Sequence, residues 1–431
     1  MNFKELTAFM IRQTEKLPIG IRKIIFGTAT KVKYFVFRLK LTLITQGAIP
    51  NPAKIYWISP DRIVYHTNYL KNSAAKAKHF AGRVFDSKTM RGKVVDGNWD
   101  ISSYKFTDLI VYKSLKKRIE DHAEWQDTEF YKEMLKQVES GMYFWGVKNE
   151  DGLRTRCNYI DSLIESIRND GYRLSSHDEI DVNIGRNGEY LFQNGAHRLS
   201  IAKILGIKSV PVMVFVRHKK WQEFRQFVVS YARQQRRGRL YQPIIHPDLA
   251  DIPYYNLEGH NCENIMKAIQ LHLEPREGVM LDIGANLGFF CHKFEDLGYQ
   301  CYAIEIDPVT FRILEKIRIA ENKKFETINK SIFEVEFIKN VKFDVVLALN
   351  ILHHFLITKT NYLRLKNLLK HLDATEMFFG PHLYHQDQMK DAYINYTETE
   401  FIEFILSNAS LNKSELIYIE KNGRHVFKLS K

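Results

Sequence analysis

Cysteine is scarce in this chain of 431 residues, and its four copies, Cys157, Cys262, Cys291 and Cys301, are scattered without C-x-x-C spacing. That excludes a zinc knuckle and a disulfide framework, and a reducing cytoplasm is the expected compartment. Acids are missing altogether from residues 21–44, where apolar residues alternate with Arg22, Lys23, Lys31, Lys33, Arg38 and Lys40. This stretch never runs apolar for the roughly 20 residues of a membrane span, so it is not expected to cross a bilayer. It also lacks the uninterrupted apolar core and small-residue cleavage site of a secretory signal. Two placements remain for it: a basic helix packed on its own domain, or one lying on an anionic membrane surface with its cations against the lipid headgroups.

With 45% hydrophobic residues, the chain has material for two globular domains behind this extension. Its net charge of +13 implies an anionic partner, and charge alone leaves open a nucleic acid, a phosphorylated glycan or the inner leaflet of a membrane.

A dinucleotide fingerprint, G-x-G-x-x-G, is also missing, and what stands in its place is the most informative stretch of the chain. Residues 279–283 form an apolar run short enough for a buried parallel strand, and Gly284, Ala285, Asn286, Leu287 and Gly288 make a tight small-residue turn. Helical periodicity starts at Phe289. The next strand ends in Glu305 and Asp307, about 20 residues beyond the glycine loop, where a carboxylate accepts both hydroxyls of a ribose. Asp282, in the strand just before the turn, repels a pyrophosphate and suits a cationic amino acid. The run from Asp282 to Gly288 resembles the first motif, D-x-G-x-x-x-G, of the class I S-adenosylmethionine-dependent methyltransferases. The resemblance implies a Rossmann-like sheet and S-adenosyl-L-methionine as cofactor, with Asp282, Gly284, Asn286, Gly288 and Glu305 as its ligands.

The rest of the C-terminal half continues in that manner. Residues 343–349 (FDVVLAL) are a further buried strand, followed by Asn350, Ile351, Leu352, His353, His354 and Phe355 where the family's fourth strand opens onto the active site. A helix over 362–372 and a strand over 376–379 follow, and Thr397 with Glu400 forms a capping box before a helix over 401–406. The turn Asn422-Gly423 between two apolar alternations signals a terminal antiparallel hairpin. Where many relatives carry an acid near the adenine, this chain has Asn329, Lys330 and Ser331. A base is required only if the methyl acceptor is a neutral hydroxyl. His354, and His382 in the Gly380-Pro381-His382 turn, are the preferred candidates to deprotonate a sugar hydroxyl or to bind an anionic acceptor. LALNILHHF and FFGPH also resemble the methyltransferase half of the bifunctional enzymes that terminate bacterial O-antigen chains, although those carry a different kinase fold in the opposite order.

Ahead of this half, residues 52–150 are dense in aromatics (Tyr56, Trp57, Trp99, Trp125, Tyr131, Tyr143, Trp145), expected as core. From 159 the pattern reads helix, strand (180–185), turn at Arg186-Asn187-Gly188, strand (190–192), then Asn194-Gly195-Ala196-His197-Arg198, a helix over 199–205 and a strand over 210–216. A strand-to-helix turn offers free backbone N–H groups and a helix dipole to an anion. The segment resembles the ParB and sulfiredoxin superfamily over about 60 residues, which implies a phosphate site at Gly195, His197 and Arg198. Ala196 stands where sulfiredoxins need cysteine, which excludes sulfinic acid reduction. If the module transfers phosphate from ATP or another nucleotide with Mg2+, Glu179 is the expected carboxylate, with Asp178 and Asp181 beside it; no metal site is written clearly.

The domain plan is therefore a basic extension (1–50), an α+β domain (51–230) containing the ParB-like unit (158–218), a basic linker (231–260) carrying RQQRRGR, and the methyltransferase domain (261–431). The fold class is α/β. The leading expectation is a cytoplasmic enzyme, peripheral at the inner membrane surface if the extension binds lipid, that methylates a glycan or other small anionic acceptor and whose N-terminal module binds or transfers phosphate. Its alternative is a nucleic-acid-associated methyltransferase, disfavoured because Asn350-Ile351-Leu352-His353 stands where an amino-methyltransferase has D/N-P-P-Y/F.

Overall fold

The apolar runs of the sequence fold into two separate sheets, one in each of two compact units, Met1–Gln222 and Glu223–Lys431. The computed structural model describes residues 50–52, 54–67, 90–141, 147–173, 179–235, 238–254, 261–274 and 277–431. The basic extension up to residue 49, together with Tyr143, Trp145 and Asp178, lies outside these described residues.

In the first unit, β1 (Ile55–Ile58) and β2 (Val94–Val95) precede three helices, α1 (Ile110–Glu120), α2 (Glu129–Glu139) and α3 (Glu150–Asp170). Then come β3 (Ile180–Ile184), β4 (Tyr190–Asn194), α4 (Ala196–Ile204) and β5 (Val210–His218). The sheet order is β1-β5-β3-β4, with β2 also on β5. Every residue of β3 and β5 is buried, as expected of strands covered on both faces. The helices share a core of Leu115, Phe130, Met134, Leu153, Ile160 and Ile201.

Two helix starts differ from the sequence reading. α3 begins at Glu150 because Asn149 caps it, its side chain accepting from Gly152 N at 2.9 Å. α4 begins at Ala196 because Gly195 adopts φ +98°, where a Cβ would press on Ile180 at 3.4 Å. His197 and Arg198 therefore sit inside the first turn of a helix.

The boundary between the units falls within α5 (Lys219–Gln234). The second unit then adds α6 (Cys262–His272), β6 (Val279–Ile283), α7 (Phe289–Asp296), β7 (Gln300–Ile304), α8 (Pro308–Ala320) and β8 (Glu326–Ile328). After these come β9 (Phe343–Leu349), α9 (Lys359–His371), β10 (Ala374–Gly380), α10 (Glu398–Asn408) and the hairpin β11 (Lys413–Ile419) and β12 (His425–Ser430). The seven strands run β11-β12-β10-β9-β6-β7-β8. All neighbours are parallel except β12, which is antiparallel to both β10 and β11. One core lies around Leu281, Val346, Met377 and Phe401, another around Met280, Phe290, Phe294 and Phe378, so successive residues of a strand feed opposite faces.

The stretch expected as a linker is packed within this second unit between residues 238 and 254. Leu240 N bonds Pro253 O at 2.9 Å, and the Arg225 guanidinium forks onto Asp251 at 2.8 and 2.5 Å. Tyr231 reaches Thr310 at 2.8 Å.

The capping box at the start of α10 is complete: Thr397 Oγ1 accepts from Glu400 N, while Glu400 accepts from Thr397 N at 2.8 Å. Thr397→Ala removes the oxygen that satisfies an otherwise orphaned N–H, so it is expected to destabilise the second unit by about 1 kcal/mol. A fall in the urea midpoint with an unchanged slope checks this.

Candidate functional site

The chain order steps out from β6 to β7 and β8, then returns to place β9 on the other side of β6. In an open sheet such a reversal splays the flanking loops apart and leaves a crevice beyond the carboxyl ends of the strands. Here the crevice is a cavity of about 590 Å³. Gly284, Asn286 and Glu305 line one part of it, and Asn350, His353, His354, Tyr241 and Arg424 another.

The glycine loop is held from three directions. Gly284 has φ +76° and no room for a side chain, since a Cβ would lie 2.8 Å from Ile351 Cδ1. Asn286 itself takes φ +51°, sparsely populated for a residue with a side chain, and its Oδ1 is buried without a hydrogen-bond partner. At the start of α7, Gln242 Oε1 accepts from Leu287 N at 3.2 Å and Phe289 N at 3.3 Å, serving donors that a helix start leaves unsatisfied. Gln242→Ala is expected to cost about 1–3 kcal/mol by orphaning these two buried donors, read as a loss of thermal stability together with faster amide exchange over residues 284–290.

Glu305 is 8% exposed, and it accepts from Asn286 N at 2.9 Å and Asp307 N at 2.8 Å. Burial pushes its carboxyl up, and the two backbone donors pull it back. Asp307 caps α8 by accepting from Thr310 N at 2.7 Å. Asp282, 3% exposed at the end of β6, is pushed up to about 7 by burial, with the Cys291 thiol at 3.7 Å opposing and the Glu305 charge adding to the rise. Asp282 and Gly288 stand behind the loop and do not line the cavity. Asn329 supports the same wall by donating to Glu305 O at 2.7 Å.

The histidines form a stack. His353 lies 4.2 Å from His354 and 5.2 Å from His382, ring centre to ring centre. His353 and His354 line the cavity, whereas His382 is 5% exposed behind His353 and does not. Asn395 donates to Tyr384 O at 3.0 Å, so its Oδ1 faces His382 Nε2 at 2.8 Å and fixes the proton on that nitrogen. Gln388 Nε2 lies 2.8 Å from His353 Nε2, which is therefore an acceptor, with the proton on Nδ1. Burial and the neighbouring imidazoles lower His353 to about 2, and burial lowers His354 and His382 as well, so the stack is neutral at pH 7.

The N-terminal candidates lie in the first unit. His197 packs its ring edge against Phe130 at 5.6 Å, and burial, with Arg156 and Arg198 nearby, lowers it to about 3. Glu179 precedes β3, while Asp181 on that strand pairs with Arg91 at 2.7 Å. Among the described residues no group of three or more His, Cys, Asp or Glu is arranged to hold a metal ion.

Gln242, Tyr241 and Arg424 are the site-building residues that the sequence reading passed over. The Asn422-Gly423 signal located the hairpin that carries Arg424, but nothing in the local pattern says that its turn faces the cavity.

Residues 281–372 match the family model described as a methyltransferase domain. Together with the strand order and the glycine loop, this supports a class I methyltransferase fold for the second unit, a fold whose cofactor is S-adenosylmethionine. A search of the curated proteins gave no match. Among solved structures, the chain is similar to the bifunctional kinase-methyltransferase WbdD, at 15% identity and a TM-score of 0.38 over 47% of this chain and 46% of that one. It is also similar to a putative O-methyltransferase from Nostoc punctiforme (22% identity, 38% and 55% covered, TM-score 0.31). A third is magnesium protoporphyrin IX methyltransferase from Synechocystis with bound S-adenosylmethionine (12% identity, 39% and 77% covered, TM-score 0.30). The chain spans about half the length of the WbdD chains it matches. No described helix is long and apolar enough to cross a membrane.

Proposed function

We propose that this chain transfers the methyl group of S-adenosylmethionine to a glycan or other small anionic acceptor. The observation that carries the reading is Glu305: two of its roughly four lone-pair positions take backbone N–H groups of the loop, and the others remain to accept a ribose's two hydroxyls. Gly284 and Asn286 let the backbone approach the cofactor, Gly288 shapes the loop from behind, and the charge of Asp282 favours the cofactor's ammonium through the loop rather than by contact. Transfer is an in-line displacement: a lone pair of the acceptor oxygen bonds to the methyl carbon as the carbon–sulfur bond breaks, its electron pair returning to sulfur. Positioning supplies most of the rate. If the acceptor is a hydroxyl, His354 takes its proton, and His382 acts on the cavity only by stacking behind His353. Incubating the full chain with methyl-labelled S-adenosylmethionine and a glycan extract, with and without phosphatase treatment, tests the reading; label transfer lost after phosphatase identifies an anionic acceptor, and no transfer to any fraction opposes it.

For the first unit, the left-handed Gly195 at the head of α4 and the cations Arg198 and Arg156 near His197 favour binding of a phosphate or nucleotide. Binding is favoured over transfer because Asp181 is held by Arg91 at 2.7 Å. Titration of ATP with Mg2+ into the wild type and Arg198→Ala decides this, with equal affinity in both arguing against it.

A further inference from the structure

Besides the wall assigned to the cofactor, three residues that line the cavity, Asn350, His353 and Arg424, each carry a buried polar atom that the fold leaves unserved, and two of these are of complementary kind. Arg424 Nε, on the β11–β12 turn, is buried without a hydrogen-bond partner, and so is Asn350 Oδ1 at the end of β9. One is a cationic donor and the other an acceptor. Among the described residues that line the cavity, Arg424 is the one Lys or Arg, alongside the carboxylates Glu305 and Asp387. Neither atom is a by-product of a loose chain. Asn350 is held at φ +56° with its backbone N on Gly380 O at 2.9 Å, and its Nδ2 reaches the Tyr241 hydroxyl at 3.3 Å, which turns Oδ1 away from that contact. The turn carrying Arg424 is closed by Glu420 N on Arg424 O at 2.7 Å and Gly423 N on Glu420 O at 2.9 Å.

Orphaned buried groups cost free energy, about 1–3 kcal/mol each, so a cationic donor and an acceptor left orphaned on residues of one cavity favour a ligand that satisfies both. We propose that Arg424 and Asn350 are the acceptor-recognising pair, with Arg424 holding a phosphate or carboxylate of the acceptor and Asn350 accepting a hydrogen bond from a hydroxyl or amine next to it. The substrate class is thus a small molecule or chain end that carries an oxyanion and a neighbouring donor, such as a polyol phosphate or a sugar acid. The pair sets specificity by penalising analogues that lack either group, since each absence restores a buried orphan. The neutral histidine stack supports the assignment: His353 and His354 offer polar contacts without a competing positive charge. This inference rests on the S-adenosylmethionine reading of the opposite wall.

The test is a pair of calorimetric titrations on the full chain saturated with S-adenosylhomocysteine, with inorganic phosphate and with glycerol 3-phosphate as probes. Glycerol 3-phosphate is expected to bind more tightly than phosphate. Arg424→Gln should weaken both at least tenfold. Asn350→Gly, which keeps the left-handed backbone, should remove only the advantage of glycerol 3-phosphate. S-adenosylhomocysteine affinity should be unchanged in Arg424→Gln, and Arg198→Ala should remove only the phosphate binding that belongs to the first unit. Phosphate binding that survives in the Arg198→Ala, Arg424→Gln double variant, or that disappears altogether in Arg198→Ala alone, overturns the proposal. So does a parallel loss of S-adenosylhomocysteine in Arg424→Gln, which would make Arg424 a partner of the cofactor's carboxylate. Failure of the wild type to bind S-adenosylhomocysteine would instead bring down the cofactor reading itself.

Discussion

Replacing Glu305 with alanine is expected to lower the affinity for S-adenosylhomocysteine roughly a hundredfold while leaving the second unit folded. A carboxylate offers about four acceptor positions, and two of Glu305's are committed to Asn286 N and Asp307 N. The remaining two match a ribose's vicinal hydroxyls. Hydrogen bonds to a charged acceptor contribute about 1.5–3 kcal/mol each, so losing the pair costs at least about 3 kcal/mol, or two decades in affinity. Truncation also frees Asn286 N, and the loop loses the tie that fixes its left-handed residue. Glu305→Gln tests the charge separately. Its amide cannot accept from both backbone donors and both hydroxyls, so an intermediate loss is expected. Calorimetry with S-adenosylhomocysteine, alongside thermal melts of the unliganded proteins, reads the effect; an affinity within threefold of wild type would remove Glu305 from the cofactor site.

Much of this site is legible in the sequence because local rules coincide there. Residues 279–307 hold a buried apolar run, small residues where positive φ is required and an acid one strand later, and these fix both the fold and the placement of Asp282, Gly284, Asn286 and Glu305. Thr397 and Glu400 declare their helix start in the same way. The cavity's other wall is different in kind. Tyr241 and Gln242 reach the site from about 45 residues upstream of the glycine loop, through a stretch whose arginines read as a solvated linker. Arg424 arrives from the far end of the chain on a hairpin whose turn signal specifies its geometry but not its neighbours. The histidines illustrate the same limit. Sequence brings His353, His354 and His382 to the ends of two adjacent strands, yet only packing decides that His382 is held by Asn395 behind His353 while His354 lines the cavity. Long-range contacts of this sort leave no periodicity to read. In the first unit, Gly195 announces the turn correctly, but helix α4 starts three residues earlier than its apolar spacing suggests, because the left-handed glycine closes the strand at once.

Asp282 makes the second large effect a pH dependence with a definite sign. In the unfolded chain its carboxyl titrates near 3.9, and in the folded unit burial lifts it to about 7. Between those values the folded protein holds a proton that the unfolded chain has lost, so this group's contribution to stability is full below about pH 4 and declines as pH rises to about 7, by at most about 1.4 kcal/mol per pH unit. The buried histidines act in the opposite direction. His353, His354 and His382 are lowered by folding, so their contribution is present above about pH 6.5 and falls as the solution becomes more acidic. The net melting curve mixes both, and the Asp282 term is isolated by subtraction. Asp282→Asn should melt close to the wild type at pH 4 and several degrees above it at pH 8, the gap widening from about pH 4 and levelling off beyond pH 7. Cofactor binding follows from the same balance. A ligand ammonium on the cavity side of the loop favours the Asp282 carboxylate behind it, so binding near pH 6 should expel a proton, and the calorimetric enthalpy should vary with the ionisation enthalpy of the buffer. In Asp282→Asn that variation should vanish along with most of the affinity. A gap between variant and wild type that is constant from pH 5 to pH 8, combined with a buffer-independent enthalpy in the wild type, would show that Asp282 is already ionised in the unliganded fold and that its charge is compensated by the protein itself.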